Sequence, residues 1–98
     1  MEVAYSVNGV PIRLTDERWG HIIAARDDMA AYYDDCLNVV ENPDMVLAGR
    51  HGSLKAVKNY GANRYMIVIY REVSRNDGFV ITAYFVRRVP GEKVIWRR

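Results

Sequence analysis

The sequence predicts an α+β domain: an N-terminal hairpin and two helices packed on a four- to five-stranded antiparallel meander. Three observations carry that expectation. Apolar residues recur at helical spacing between residues 16 and 41. After residue 44 the period changes to two, with Val, Ile, Tyr and Phe enriched. Turn residues punctuate that second stretch at short intervals. Helices grouped before strands imply α+β and not a parallel α/β sheet.

Val3–Val7 and Val10–Leu14 flank Asn8-Gly9. That dipeptide suits a type I′ hairpin turn, in which both central residues need positive φ. Pro11 marks the second arm as an edge or partly irregular strand.

Thr15 is a good N-cap, and Asp16 and Glu17 follow it where the helix dipole favours acids. The first helix is expected from Asp16 to Arg26, with Trp19, Ile22, Ile23 and Arg26 on one side. A second is expected from Asp27 to Glu41, with Met29, Tyr33, Cys36 and Val40 as its apolar stripe. Asn42-Pro43-Asp44 stops it.

Strands are expected at Met45–Ala48, Leu54–Tyr60, Tyr65–Val73, Phe79–Val89 (the longest) and Val94–Arg97. Along the longest, Val80, Thr82, Tyr84, Val86 and Arg88 point one way. Phe79, Ile81, Ala83, Phe85 and Arg87 point the other way, towards the helices.

Length allows one domain, residues 1–98. The composition, 50% hydrophobic and 27% charged, is that of a globular protein. Cys36 is the single cysteine, so no disulfide forms within the chain, and its place on the stripe marks it as core. No run of about 18 apolar residues occurs and no export signal is visible, so a cytoplasmic location without membrane contact is expected.

The net charge of +2 is unevenly distributed. Residues 1–49 hold three arginines against nine acids, −6, and residues 50–98 hold eleven Lys and Arg against three acids, +8. Two readings stand: a polyanion-binding half, or halves that neutralise one another on folding.

No metal or cofactor is expected. The two histidines, His21 and His51, stand thirty residues apart, and no glycine-rich phosphate loop is present. Thr82 and Tyr84 share a strand face, where a hydroxyl and a phenol suit a phosphate and a base, although β-propensity alone also accounts for both. His21 sits among apolar residues as either a structural imidazole or a catalyst. Arg64, Arg71, Arg87, Arg88 and Arg97 fall into groups at strand ends, interleaved with Tyr60, Tyr65, Tyr70, Tyr84 and Trp96. Arginine forks grip phosphate, and the same charges also protect a solvated sheet edge.

The stretches IRLTDERWGHIIAARDDM (12–29), NPDMVLAG (42–49), GFVITAYF (78–85) and GEKVIW (91–96) resemble small phage and bacterial proteins of the barnase/EndoU/colicin/RelE-like nuclease superfamily. The resemblance implies two helices followed by an antiparallel meander of about four strands, and metal-independent RNA cleavage, often by a toxin or phage effector. By that resemblance His21 matches the family's helical histidine, and Thr82 and Tyr84 its penultimate-strand motif. Many relatives look like His-Ile-x-x-x-His-Pro-Glu-Met; here Arg26 stands at the second histidine and Asp27-Asp28 at Pro-Glu.

The expectation is therefore an endoribonuclease that cleaves RNA by 2′-OH attack on the adjacent phosphate. His21 is its acid/base, and Arg71 its phosphate holder, with Arg87 or Arg88 as alternatives. Thr82 bonds a non-bridging oxygen, Tyr84 orients the group or acts as acid, and Arg64, Arg87, Arg88 and Arg97 bind RNA. The expected partners are single-stranded RNA, an acidic antitoxin or immunity protein, and a second copy in a homodimer. The alternative is a non-catalytic RNA- or protein-binding module using the basic C-terminal half.

Overall fold

The computed structural model describes residues 2–98 and follows an α+β plan. Strands β1 (Glu2–Tyr5) and β2 (Pro11–Leu14) precede helices α1 (Asp16–Ala25) and α2 (Tyr33–Glu41). Strands β3 (Met45–Ala48), β4 (Leu54–Gly61), β5 (Arg64–Ser74), β6 (Asp77–Val86) and β7 (Val94–Arg97) follow.

The expected meander is present: β3, β4, β5 and β6 pair antiparallel in sequence order. The full sheet is larger and mixed, seven strands in the order β1-β2-β6-β5-β4-β3-β7. The hairpin joins through a parallel pairing, Ile12 opposite Gly78 and Arg13 opposite Phe79. This corrects the all-antiparallel expectation. The pairing is short, and β2 then gives way to α1 beside the rest of β6. Pro11, the first residue of β2, lies outside the parallel contact, a place where a missing N–H is tolerated.

The N-terminal turn also differs from expectation. The Ser6 carbonyl accepts from the Gly9 N–H at 2.8 Å, so Val7 and Asn8 are the central residues. Only Gly9 has positive φ there. The extra residue makes a longer loop, closed by the left-handed glycine. A two-residue turn with both φ positive occurs instead at Ala62 (53°) and Asn63 (59°), between β4 and β5.

Thr15 caps α1 as expected, its hydroxyl accepting from the Arg18 N–H at 3.1 Å. The second helix begins later than expected, at Tyr33 and not Asp27. Asp27–Met29 forms a single 3-10 turn instead. Met29 is fully buried and Tyr32 packs edge-on against Phe85, so tertiary anchoring overrides the helix propensity of Ala30-Ala31.

The helices cover one face of the sheet. Met29, Cys36, Val39 and Val40 meet Ile12, Leu14, Met66, Val68, Tyr70, Val80 and Ala83 there, all fully or almost fully buried. The other face carries a smaller buried group, Leu47, Val57 and Ile67.

Strand β6 ends at Val86, short of the expected Val89, and β5 is the longest strand. The register of β6 against β5 shifts at Ile81: Thr82 faces Ile69, but Val80 faces Tyr70. This bulge inserts one residue and reverses the alternation. Val80 consequently packs with Ala83 and Phe85 beneath the helices, and Phe79 lies on the other face. The expected helix-facing set of Phe79, Ile81, Ala83 and Phe85 therefore holds only after the bulge. Thr82 and Tyr84 stand on the helix-free face as expected.

Residues 87–93 lead from β6 back across that face to β7. Val89 packs on its apolar group, Glu92 accepts from Lys55 Nζ at 2.9 Å, and the Lys93 carbonyl accepts from the Ala48 N–H at 2.9 Å. Arg87 and Arg88 belong to this strap and not to a strand. No helix of the described residues is long and apolar enough to cross a membrane.

Candidate functional site

Cross-strand partners share a face, which places the expected site residues without ambiguity. Thr82 opposes Ile69, Tyr84 opposes Ile67, and Phe79 opposes Arg71. Thr82, Tyr84 and Arg71 therefore stand together on the helix-free face, Arg71 diagonal to Thr82. All three are half-buried. The Arg71 side chain lies beside Gly52, its Nη1 3.4 Å from where a Cβ would be. It makes no ion pair among the described residues.

Helix α1 borders this face along the free edge of β6. Near its N-terminus Thr15, Glu17 and Arg18 share a shallow groove with Arg13, Phe79 and Val80. Past its C-terminus, the Arg26 guanidinium lies 4.7 Å from the centroid of the Tyr84 ring. The helix thus runs beside β6 from Phe79 to Tyr84, a match in length, since ten helical residues span about 15 Å. His21 lies midway along it, three residues from Arg18 on the helix surface. It is exposed and makes no hydrogen bond or ion pair among the described residues.

Arg26 is the residue that sequence reasoning placed without assigning a role. The available signal was a cation on the same helical side as Trp19, Ile22 and Ile23, where an apolar residue would be routine. Its guanidinium meets Tyr84 in cation–π geometry.

The other expected cations are dispersed. Arg64 belongs to the helix-covered side, its guanidinium 4.0 Å from the Phe85 centroid and 5.8 Å from that of Tyr32. Arg87 and Arg88 are exposed just beyond β6. Arg97 opposes Met45 on β7, at the far edge of the sheet. Four strand spacings separate β7 from β6, roughly 19 Å, so Arg97 cannot share a phosphate with Thr82.

The charge asymmetry is partly neutralised within the fold. Arg13 makes a two-pronged pair with Asp77, and Arg98 lies 3.6 Å from Asp44, each joining the two halves. Lys55 pairs with Glu92. Arg50, Arg71, Arg87 and Arg88 have no carboxylate partner among the described residues.

His51 sits in an exposed turn with left-handed backbone (φ 54°), consistent with a turn residue. Cys36 is buried in the core, and desolvation pushes its thiol up to about 12, away from nucleophilic use. Among the described residues no three His, Cys, Asp or Glu side chains are placed to hold a metal ion. A cleft of about 640 Å³ opens on the same face under Val89, lined by Asp44, Met45, Val57, Asn59 and Tyr65 among others. It includes none of Thr82, Tyr84, Arg71 or His21.

No protein-family model matches the chain, and neither the curated proteins nor the solved structures hold a match to it.

Proposed function

We propose that the chain is a metal-independent endoribonuclease of RelE/barnase-like architecture, with its site on the helix-free face at the β6 edge. The observation that carries this reading is the Arg26–Tyr84 contact at 4.7 Å. It means that a side chain of the α1 region rounds the sheet edge and meets the face bearing Thr82 and Arg71. His21 is exposed on the same helix and open to a substrate at that edge.

The chemistry divides as follows. The RNA 2′-oxygen bonds to its own phosphorus as the bond to the 5′-oxygen breaks. His21 takes the 2′ proton, and Tyr84 donates a proton to the departing 5′-oxygen. Arg71 and Arg26 stabilise the charge that builds on the phosphoryl oxygens, and Thr82 donates to one of them. The products are a 2′,3′-cyclic phosphate and a free 5′-hydroxyl. Arg26, at the place of a second histidine in the resembling sequences, serves as a fixed cation because a guanidinium keeps its proton.

The test is incubation with mixed-sequence single-stranded RNA in EDTA, beside His21→Ala. Cleavage to cyclic-phosphate ends is expected, slowed by about 100-fold or more in the variant. Absence of cleavage by folded parent protein overturns the assignment. Retained RNA affinity in that case points to a non-catalytic binding module that uses the unpaired arginines.

A further inference from the structure

We infer that the C-terminal end of β6 is a two-platform track for single-stranded RNA, with one base stacked on Arg26 and another on Arg64. The inference rests on the RNA reading above and adds where the strand lies outside the scissile phosphate.

Tyr84 and Phe85 are consecutive on β6 and face opposite sides of the sheet. Each is covered by a guanidinium, Arg26 at 4.7 Å and Arg64 at 4.0 Å. Neither arginine has a carboxylate partner among the described residues; the Arg64 side chain adds only a 3.4 Å bond to the Tyr32 hydroxyl. Both arginines are exposed. An exposed guanidinium resting over a ring offers a planar cation of the kind on which unpaired bases stack.

The Phe85 ring is itself fixed. Phe85 meets Tyr32 at 5.0 Å and Tyr60 at 5.6 Å, both edge-on, and the Tyr60 hydroxyl donates to Asp35 at 2.8 Å. A platform held in this way loses little entropy when a base settles on it.

Phosphate contacts lie between the platforms. Tyr65 pairs with Val86, so Arg64 and Arg87 adjoin where the ladder ends, and Arg88 follows. Arg87 and Arg88 are exposed and without a carboxylate partner among the described residues. The alternative path, round the side of β6, passes exposed Asp27 and Asp28, which repel phosphate. Charge thus directs a strand from Tyr84 over the end of β6 to Arg64. A base takes the face of a guanidinium, whereas a carboxylate is gripped edge-on by its fork.

The test uses a labelled 2′-O-methyl oligoadenylate, which cannot be cleaved by 2′-OH attack, and an abasic strand of equal length, with binding followed by fluorescence anisotropy. Arg26→Lys and Arg64→Lys keep the charge and lose the plane. Each is expected to weaken oligoadenylate binding by about fivefold or more, with unchanged salt dependence and little effect on the abasic strand. Arg87→Ala is expected to lower the salt slope by about 0.7. Equal binding of the abasic strand and oligoadenylate by the parent protein overturns the platforms, as does parental affinity in both lysine variants, and either result leaves the ribonuclease reading of the parent protein standing. Failure of the parent to bind either strand overturns the track together with the RNA reading.

Discussion

The two faces of the sheet are buried by different means. On one, α2 and the 3-10 turn seat Met29, Cys36, Val39 and Val40 against five strands, and the core includes Tyr70, Leu14 and Ile12 at 0% exposure. On the other, a strap of seven residues lies over Leu47, Val57 and Ile67. The first face is covered over its core by regular elements. The second is covered only in part, and half-buried Thr82, Tyr84 and Arg71 stand in what the strap leaves open. The main core and the proposed cleavage site thus lie on opposite faces of one sheet, and mutations should sort by face.

The largest effect is expected from Leu14→Ala on the helix-covered side. A fully buried leucine lost there costs about 2–5 kcal/mol, read as a fall in the urea midpoint at constant slope. A loss well under that range would mean that the two faces share the load.

Gly78→Ala probes the seam between hairpin and meander. Its Cβ would stand 2.5 Å from both the Arg71 carbonyl oxygen and Ile12 Cδ1. The strands must part, at a cost of about 1–3 kcal/mol. Hydrogen exchange should quicken first in residues 11–14; uniform loss of protection would argue against a separable seam.

Alkaline pH should act through the helix side. Burial raises the ionisation of Cys36 to about 12 from the ordinary 9.0. The Tyr33, Tyr60 and Tyr70 phenols are also raised, each chiefly by desolvation. All four belong to or pack against the helix-side core. The unfolded chain releases these protons at lower pH than the folded one, so above pH 9 the folded state holds more protons and stability falls as pH rises. Below pH 9 these groups should leave stability flat. Urea titrations across pH 8 to 11 check the sign, and Cys36→Ala should soften the slope.

Val89→Ala removes the strap's apolar contact and should cost only about 1 kcal/mol. The smallest change is expected at Tyr70→Phe. Its hydroxyl is buried without a hydrogen-bond partner among the described residues, so its removal should be nearly neutral or stabilising. A clear loss of stability would reveal a bound water that the hydroxyl holds.

Much of this plan could be read from residues alone. The Thr15 cap, the Asn42-Pro43 stop, the four meander strands and Val94–Arg97 all follow local rules, and all appear. The misplaced features depend on distant partners. Nothing near Ile12 announces a strand that arrives at Gly78. Nothing within Phe79–Val86 marks Ile81 as the bulged residue, because Val80 and Phe79 serve either face equally well. Asn8-Gly9 has the chemistry for a tight turn, yet the Ser6–Val10 closure demands a longer one. For the candidate site, the shared face of Thr82 and Tyr84 was legible from alternation. The contact of Arg26 with Tyr84 was not, since it depends on α1 lying beside the edge of β6.

The parallel seam between β2 and β6 also sets a timetable. Ile12 and Arg13 precede their sheet partners, Gly78 and Phe79, by sixty-six residues. A two-stranded hairpin is marginal alone in water, so during N-to-C synthesis the first fourteen residues wait until most of the chain has emerged. Helix α1 waits with them, because the edge it borders belongs to β6. The proposed site, which needs α1 and β6 side by side, is therefore among the last features to form. A ribosome-tethered chain ending before Gly78 should carry the early meander strands yet lack a docked α1 and the site altogether.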